Sequence, residues 1–394
     1  MTLRSERDKS ELIIVSDARF YYGHWGVMGE CGRFGQGFFE EAYAVFDSVS
    51  LVARMQRTVA PPRRDCLLSG PFKLFSLPSF RGGKGYMVNF LPLLYKLYLV
   101  SKLRGVFVLR LPSFITLLLF PFLVLRRRQY AVEVIGFAGD ALKSTGSRVL
   151  VVFASIMETL TRLICSRACA ISYVTSHEMP SAFPCPGKAF IIAGTRVRDF
   201  SLRAPRVFEA APNPIKLLHI GTMNTLYKGQ SILLESICRL LSYGIRCNCT
   251  FVGDGPYKEF FEEKSRMLDL SSLVKFIGAV PGGSAIADLM DSHDVLVVNS
   301  LTEGLPNIII EGMMRGIPII ASGVGGIPEL IEPDCLVEPG EVKCLTETLR
   351  TLSTDSDKLT ALSERSIDKA RLYMPDILIK KRHEFYQYVK NFCL

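Results

Sequence analysis

Through most of this chain, short apolar runs such as ELIIVS and DVLVVNS alternate with longer stretches in which apolar residues return every three or four positions. A run that is apolar at nearly every position suits a strand covered on both faces, and strands separated by helices assemble into parallel sheets. The pattern predicts a first series of strands at 11–16, 49–54, 105–111, 130–136, 170–175 and 188–193. A second series is expected at 215–222, 249–253, 273–277, 294–300, 318–322 and 335–338. Between them residues 195–214, TRVRDFSLRAPRVFEAAPNP, follow neither period and are rich in Pro and Arg, which marks a linker. The expected class is α/β, with two Rossmann-like, doubly wound domains over residues 1–200 and 201–374. The tail 375–394, which opens PDILIKKRHEFYQYVKNF, reads as an amphipathic helix crossing back to the first domain and packing across both. Two such domains would bring strand carboxyl ends to face each other across a cleft, where ligands bind.

With 394 residues the chain has room for two or three cores, and 48% hydrophobic against 22% charged residues excludes a disordered chain. The net charge of +9 is unevenly spread: residues 1–200 hold 26 Lys and Arg against 14 Asp and Glu, whereas residues 201–394 hold 21 against 24. A basic first half points to an anionic partner, a class that includes nucleic acid, phospholipid and phosphorylated substrates. The eleven cysteines have no regular spacing, so neither a disulfide framework nor a zinc site is expected, and Cys165 and Cys169 read as core residues. MTLRSERDKSE, at the start, has no apolar signal core, and a reduced, cytoplasmic protein is expected.

The chemistry concentrates in LTEGLPNIIIEGMMRG, residues 301–316. Gly304 lets the backbone approach a ligand, and Pro306 and Asn307 are helix-start residues. Amides from Gly304 through Leu305 and Asn307 to Ile308 then make an anion site, to which the helix dipole contributes about 0.3–2 kcal/mol. A carboxylate in contact with that anion would repel it, so Glu303 and Glu311 are expected to reach past it and accept hydrogen bonds from sugar hydroxyls. Glutamates also simply cap helix starts, and the motif alone leaves the two readings even. The neighbours shift the balance. IGTMNTLYKGQS places Gly221, Thr222, Asn224 and Lys228 after the first strand of the second series, with an ammonium in reach of the same diphosphate. At about 4 Å and an effective dielectric near 20, such a contact is on the order of 4 kcal/mol before desolvation. Gly253 and Asp254 stand at the next strand end, and Phe276 and Ile277 stand where backbone reads the edge of a base. GVGGIP, residues 323–328, is a further tight turn, open between contact with a bound sugar and ordinary turn duty.

This set of motifs resembles the retaining glycosyltransferases of the GT-B fold, in particular the glycosyl transferases group 1 family. The resemblance is strongest over residues 215–339 and fainter over nearly all the rest. Its most specific element is Glu303-Gly-Leu-Pro-Asn307 with Glu311, which matches the family's paired-glutamate motif. It implies that Glu303 contacts the donor sugar, Glu311 the nucleotide ribose and Lys228 the diphosphate. It also implies catalysis without a metal, a cofactor or a protein nucleophile, and no Asp-x-Asp pair stands at a strand end. Thr222 follows Gly221 where the family often has arginine, so the phosphate falls either to Lys228 with Thr222 or Asn224, or to an arginine of the first half. The implied partners are a nucleoside-diphosphate-sugar donor and a glycan or lipid-linked glycan acceptor, in bacterial surface polysaccharide assembly, with no nucleic acid. A nucleotide-sugar epimerase of the same architecture is the alternative. A nicotinamide oxidoreductase lacks a clean G-x-G-x-x-G with a downstream acid.

In the first half, the stretch after ELIIVS reads as a loop with glycines at 23, 26, 29, 32, 35 and 37, and Gly35 and Gly37 are the candidates for the donor phosphates. Asp140 is the acceptor-contact candidate in VEVIGFAGDA, and His24 reads as a surface residue. The apolar run 114–125 is about 18 Å long as a helix and too short to span a membrane. It reads as a buried crossover helix; otherwise it, or the stretch 87–105 before it, lies at an anionic membrane surface beside Arg126, Arg127 and Arg128.

Overall fold

ELIIVS and the apolar runs after it become strands of two sheets in the computed structural model, which describes residues 10–29, 39–59, 67–68, 70–80, 82–137, 148–194 and 201–393. The chain divides into a first unit, Met1–Ile192 with Leu378–Leu394, and a second unit, Ala193–Ile377.

The first sheet contains β1 (Glu11–Gly23), β2 (Gly26–Gly29), β3 (Ser48–Arg57), β4 (Lys73–Leu77), β5 (Val106–Leu111), β6 (Tyr130–Val134), β7 (Ala170–Tyr173) and β8 (Lys188–Ile191). Its order is β4-β3-β1-β5-β6-β7-β8, all parallel, with β2 antiparallel on β1. The sequence pattern missed two of these strands. β4, KLFSL, is a short edge strand that is buried only at its last residue, so it carries no apolar run. β2 forms a hairpin with β1, so Gly23, Gly26 and Gly29 belong to paired backbone instead of the expected open loop; His24 is exposed in the turn between them. Gly35 and Gly37 of the same stretch lie outside the described residues, as does Asp140.

The helix Phe114–Leu125 buries Ile115, Thr116, Leu117, Leu119, Phe120 and Leu123, as expected of a crossover helix. Ser113 caps it by accepting from the Thr116 N–H at 3.0 Å. The last helix, Pro375–Phe392, places Phe385, Tyr386 and Val389 in one cluster with Leu12, Ile14, Val49 and Leu51 of the first sheet. Contrary to the expectation from cysteine spacing, Cys393 just past that helix forms a disulfide with Cys169, which follows the helix Arg148–Cys165. Cys165 itself is buried, and burial pushes its thiol up to about 12. Among the described residues, no helix is long and apolar enough to cross a membrane.

The second sheet holds β9 (Ile215–Ile220), β10 (Cys247–Val252), β11 (Val274–Phe276), β12 (Val295–Val298), β13 (Ile319–Ser322) and β14 (Leu336–Val337), parallel throughout in the order β11-β10-β9-β12-β13-β14. That is the dinucleotide-fold order 3-2-1-4-5-6, whose crevice opens between its first and fourth strands. Residues 201–214, expected as linker, lie along this unit. Arg206 donates to the carbonyls of Arg315, His293 and Met290 at 3.2, 2.6 and 2.8 Å, joining the C-terminal ends of two helices with a guanidinium fork.

Candidate functional site

The order reversal in the second sheet puts the loops after β9 and β12 side by side, and these two loops carry Lys228 and Glu303. They are tied together at three levels. The Leu301 N–H donates to the Tyr227 carbonyl at 2.7 Å, and Asn299 Nδ2 donates to the Gly229 carbonyl at 2.8 Å. Beyond them the Lys228 ammonium pairs with Glu303 Oε1, which also accepts from Ser300 Oγ at 2.7 Å. With the two side chains only 18% and 11% exposed, the pair is largely withdrawn from water, where losing either partner strands the other charge.

Two further strand ends brace this pair. Gly253, after β10, has φ +142°, and a Cβ there would stand 1.9 Å from the Gly221 carbonyl oxygen, so only glycine lets the loops after β9 and β10 meet. The GVGGIP turn supports the other side, with the Gly326 N–H donating to the Gly304 carbonyl at 2.7 Å. Asp254 and Thr222 hold their own turns: Asp254 Oδ1 accepts from the Gly255 N–H at 2.8 Å, and Thr222 Oγ1 accepts from the Asn224 N–H at 3.3 Å. Phe276 stacks on Phe251 at 4.9 Å, and Ile277 is 44% exposed beside it.

The helix Asn307–Met314 is anchored by buried Ile309, Ile310, Met313 and Met314, each contributing about 1.5–3 kcal/mol of burial. Its N-cap is Pro306, which has no side-chain acceptor, and the N–H groups of Gly304, Leu305, Asn307 and Ile308 donate nowhere within the described chain. Free N–H groups at a helix start are the kind of donors that an anion can meet. The Glu311 carboxyl, one turn in, has no hydrogen-bond or ion-pair partner among the described residues, and burial pushes it up to about 7.

The sequence pattern overlooked His219 on β9. Its Nδ1 donates to the Val297 carbonyl at 3.0 Å, which fixes the tautomer and leaves Nε2 bare, buried and unpartnered. Burial, with the nearby Lys228 charge, brings its pKa down to about 4. The side-chain oxygens of Asn299, Gln230 and Thr225, all in or next to the same two loops, are likewise buried without partners. The signal available in the sequence was a single polar residue inside LLHIG, where only apolar residues suit the strand.

The first unit has its own strand reversal between β1 and β5. There Asp17 accepts from Tyr86 and from the Phe114 N–H, both at 3.0 Å, and pairs with Arg54 at 2.9 Å. Burial raises its pKa against the pull of Arg54. Among the described residues, no group of three His, Cys, Asp or Glu is placed to hold a metal ion.

Residues 214–355 match the family model described as Glycosyl transferases group 1, so the resemblance read in the paired-glutamate motif holds over this stretch. Among curated proteins, the chain is 31% identical over 224 residues to Protein CapJ of Staphylococcus aureus, covering 56% of each chain. It is 26% identical over 217 residues to the putative colanic acid biosynthesis glycosyltransferase WcaL of Escherichia coli, covering 52% of this chain and 50% of that one. The chain thus spans about half the length of these curated relatives. Sucrose-phosphate synthase from Thermosynechococcus elongatus superposes with TM-score 0.70 at 15% identity, over 96% of this chain and 98% of that one. HepE of Anabaena, solved with UDP-glucose, gives 0.64 at 16% identity over 95% and 98%. Likeness at these identities shows the fold, which is GT-B.

Proposed function

We propose that this protein is a retaining glycosyltransferase. It moves a hexose-type sugar from a nucleoside diphosphate to a glycan or lipid-linked glycan in the assembly of a bacterial surface polysaccharide. The observation that carries this reading is the Lys228–Glu303 pair set beside four undirected backbone N–H groups at a helix start. An anion entering there meets amides already aimed outward and an ammonium whose present partner is a carboxylate. A diphosphate draws Lys228 to itself and frees the Glu303 carboxylate to accept from a sugar hydroxyl. As the glycosidic bond to the diphosphate breaks, charge grows on the leaving oxygen, and fixed donors of this kind stabilise that charge more than the ground state. The leaving phosphate then takes the acceptor proton on the face where the new bond forms, so the configuration is retained and no side-chain nucleophile is needed. Glu311 accepts from the ribose hydroxyls. Cationic side chain and helix amides together do the work that a metal does elsewhere, so turnover persists in chelator. The description of WcaL as a putative colanic acid biosynthesis glycosyltransferase supports the polysaccharide assignment.

The test is a thermal-shift panel of nucleoside diphosphates against the wild-type protein and Lys228→Ala. One base should raise the melting temperature by several degrees in the wild type and by far less in the variant. If no nucleoside diphosphate shifts the wild type, the reading fails.

A further inference from the structure

Two helices of the first unit carry an apolar stripe on a face that the core does not use. Phe90–Val100 buries Leu93, Leu97 and Val100, yet Leu91, Tyr95 and Tyr98, at the same spacing on another face, are exposed, Leu91 to 75%. Arg148–Cys165 buries Ala154, Met157 and Thr161 and leaves Val152, Ile156 and Leu160 in water. The helix Phe114–Leu125 packs against both, joined through the Tyr98–Phe122 and Phe114–Phe153 ring contacts at 6.0 and 6.2 Å. It ends on Leu125, which is 80% exposed, and Met87 ahead of the first stripe is equally bare at 80%. Apolar stripes of this extent left in water mark a surface that docks on a partner or on lipid.

The charge around the first stripe and the helix Phe114–Leu125 has one sign, whereas the Arg148–Cys165 helix carries Glu158 with Arg148 and Arg162. Between Asp65 and Glu133 the chain has ten Lys and Arg and no Asp or Glu. Lys84, Lys102, Arg104, Arg126 and Arg127 of that stretch are exposed. Lys102 and Arg126 both lie over the Tyr98 ring, at 4.3 and 5.2 Å, so cations rim the apolar patch. We propose that this three-helix face seats on an anionic lipid bilayer, with the stripes in the headgroup–acyl boundary and the rim cations against lipid phosphates. A second copy of the chain is the poorer occupant, because a twofold contact would set this cationic rim against itself. Since no described helix can cross a bilayer, the face lies on the membrane instead of spanning it.

The experiment is co-sedimentation with phosphatidylglycerol–phosphatidylcholine vesicles and with pure phosphatidylcholine vesicles, at low and high salt. The wild type should bind the anionic vesicles at least about tenfold more strongly, and salt should weaken that binding. An apolar-stripe variant, Met87→Ser/Leu91→Ser/Leu125→Ser, and a rim variant, Lys102→Glu/Arg104→Glu/Arg127→Glu, should each bind about tenfold less than the wild type. Both should keep the wild-type nucleoside diphosphate shift, so failure here is separate from failure of the transferase reading. Equal binding to neutral vesicles, no binding to either, or unchanged binding by the variants overturns the proposal. So does a dimer in analytical ultracentrifugation that the apolar-stripe variant dissolves.

Discussion

Gly325 lies so close to Glu303 that a Cβ on it would stand 1.9 Å from the Glu303 carbonyl oxygen, with φ +55° at the glycine itself. The turn that follows β13 therefore sets the position of the loop that follows β12. Gly325→Ala should move Glu303 and lower turnover by about a hundredfold, as misplacement near 1 Å does at other reacting centres. Far-UV circular dichroism should stay at the wild-type value, because Gly325 lies in a loop outside every strand and helix; unchanged turnover would remove the turn from the site.

Breaking the Lys228–Glu303 pair from one side leaves a largely buried charge without its partner. Lys228→Met should destabilise by about 1–3 kcal/mol in urea unfolding, and the double variant Lys228→Met/Glu303→Gln should recover part of that loss. Both variants should lose turnover by orders of magnitude. Additive stability effects would mean that the two groups do not interact in solution.

Glu311 makes a pH signature. Its folded pKa, about 7, lies above the ordinary 4.5, so its contribution to stability is complete below 4.5 and is lost as pH rises towards 7. The loss is at most about 3 kcal/mol, and Glu311→Gln should abolish it, melting higher than the wild type at pH 8. Nucleoside diphosphate binding should move the other way, strengthening from about pH 6 to 8 as the carboxylate that accepts ribose hydroxyls forms. A flat binding profile in calorimetry would take Glu311 out of the ligand's reach.

His219 gives the opposite slope. With a folded pKa of about 4 against the ordinary 6.5, it stabilises fully above 6.5, and that contribution disappears as pH falls through 4. His219→Leu should melt less steeply with acid over that window; a parallel acid profile would show that the ring is charged inside the fold.

Much of this site could be read from the chain before its folding was known. Glu303, Lys228 and the glycines at 221 and 253 stand beside strand ends because the apolar runs before them are continuous and end abruptly, so the loop positions follow from the strands. The direct meeting of Lys228 with Glu303 was not legible, since it depends on β9 and β12 being neighbours, and strand order is a long-range property that local periodicity does not carry. His219 and Asp17 were missed for a related reason: the role of each comes from partners more than 30 positions away, such as Val297 for His219 and Arg54 and Tyr86 for Asp17. The hairpin of β1 and β2 was hidden by glycines that pair as strands here, and β4 by an edge position that demands no apolar run.

The Cys169–Cys393 disulfide closes a loop across a sequence separation of 224 residues, which a reductant opens. Cys393→Ser, or the wild type in dithiothreitol, should lose about 2–4 kcal/mol against oxidised wild type in denaturant unfolding. Identical midpoints with and without reductant would mean that the thiols are free in solution.

The last helix has a consequence for synthesis. Phe385, Tyr386 and Val389 complete the wall against which Leu12 and Ile14 pack, yet a ribosome releases them only after all of residues 193–377. The second unit is one continuous stretch and needs no segment made after it. The first unit, although made earlier, must wait with part of its interior open, and this nascent surface is where a chaperone would engage the chain.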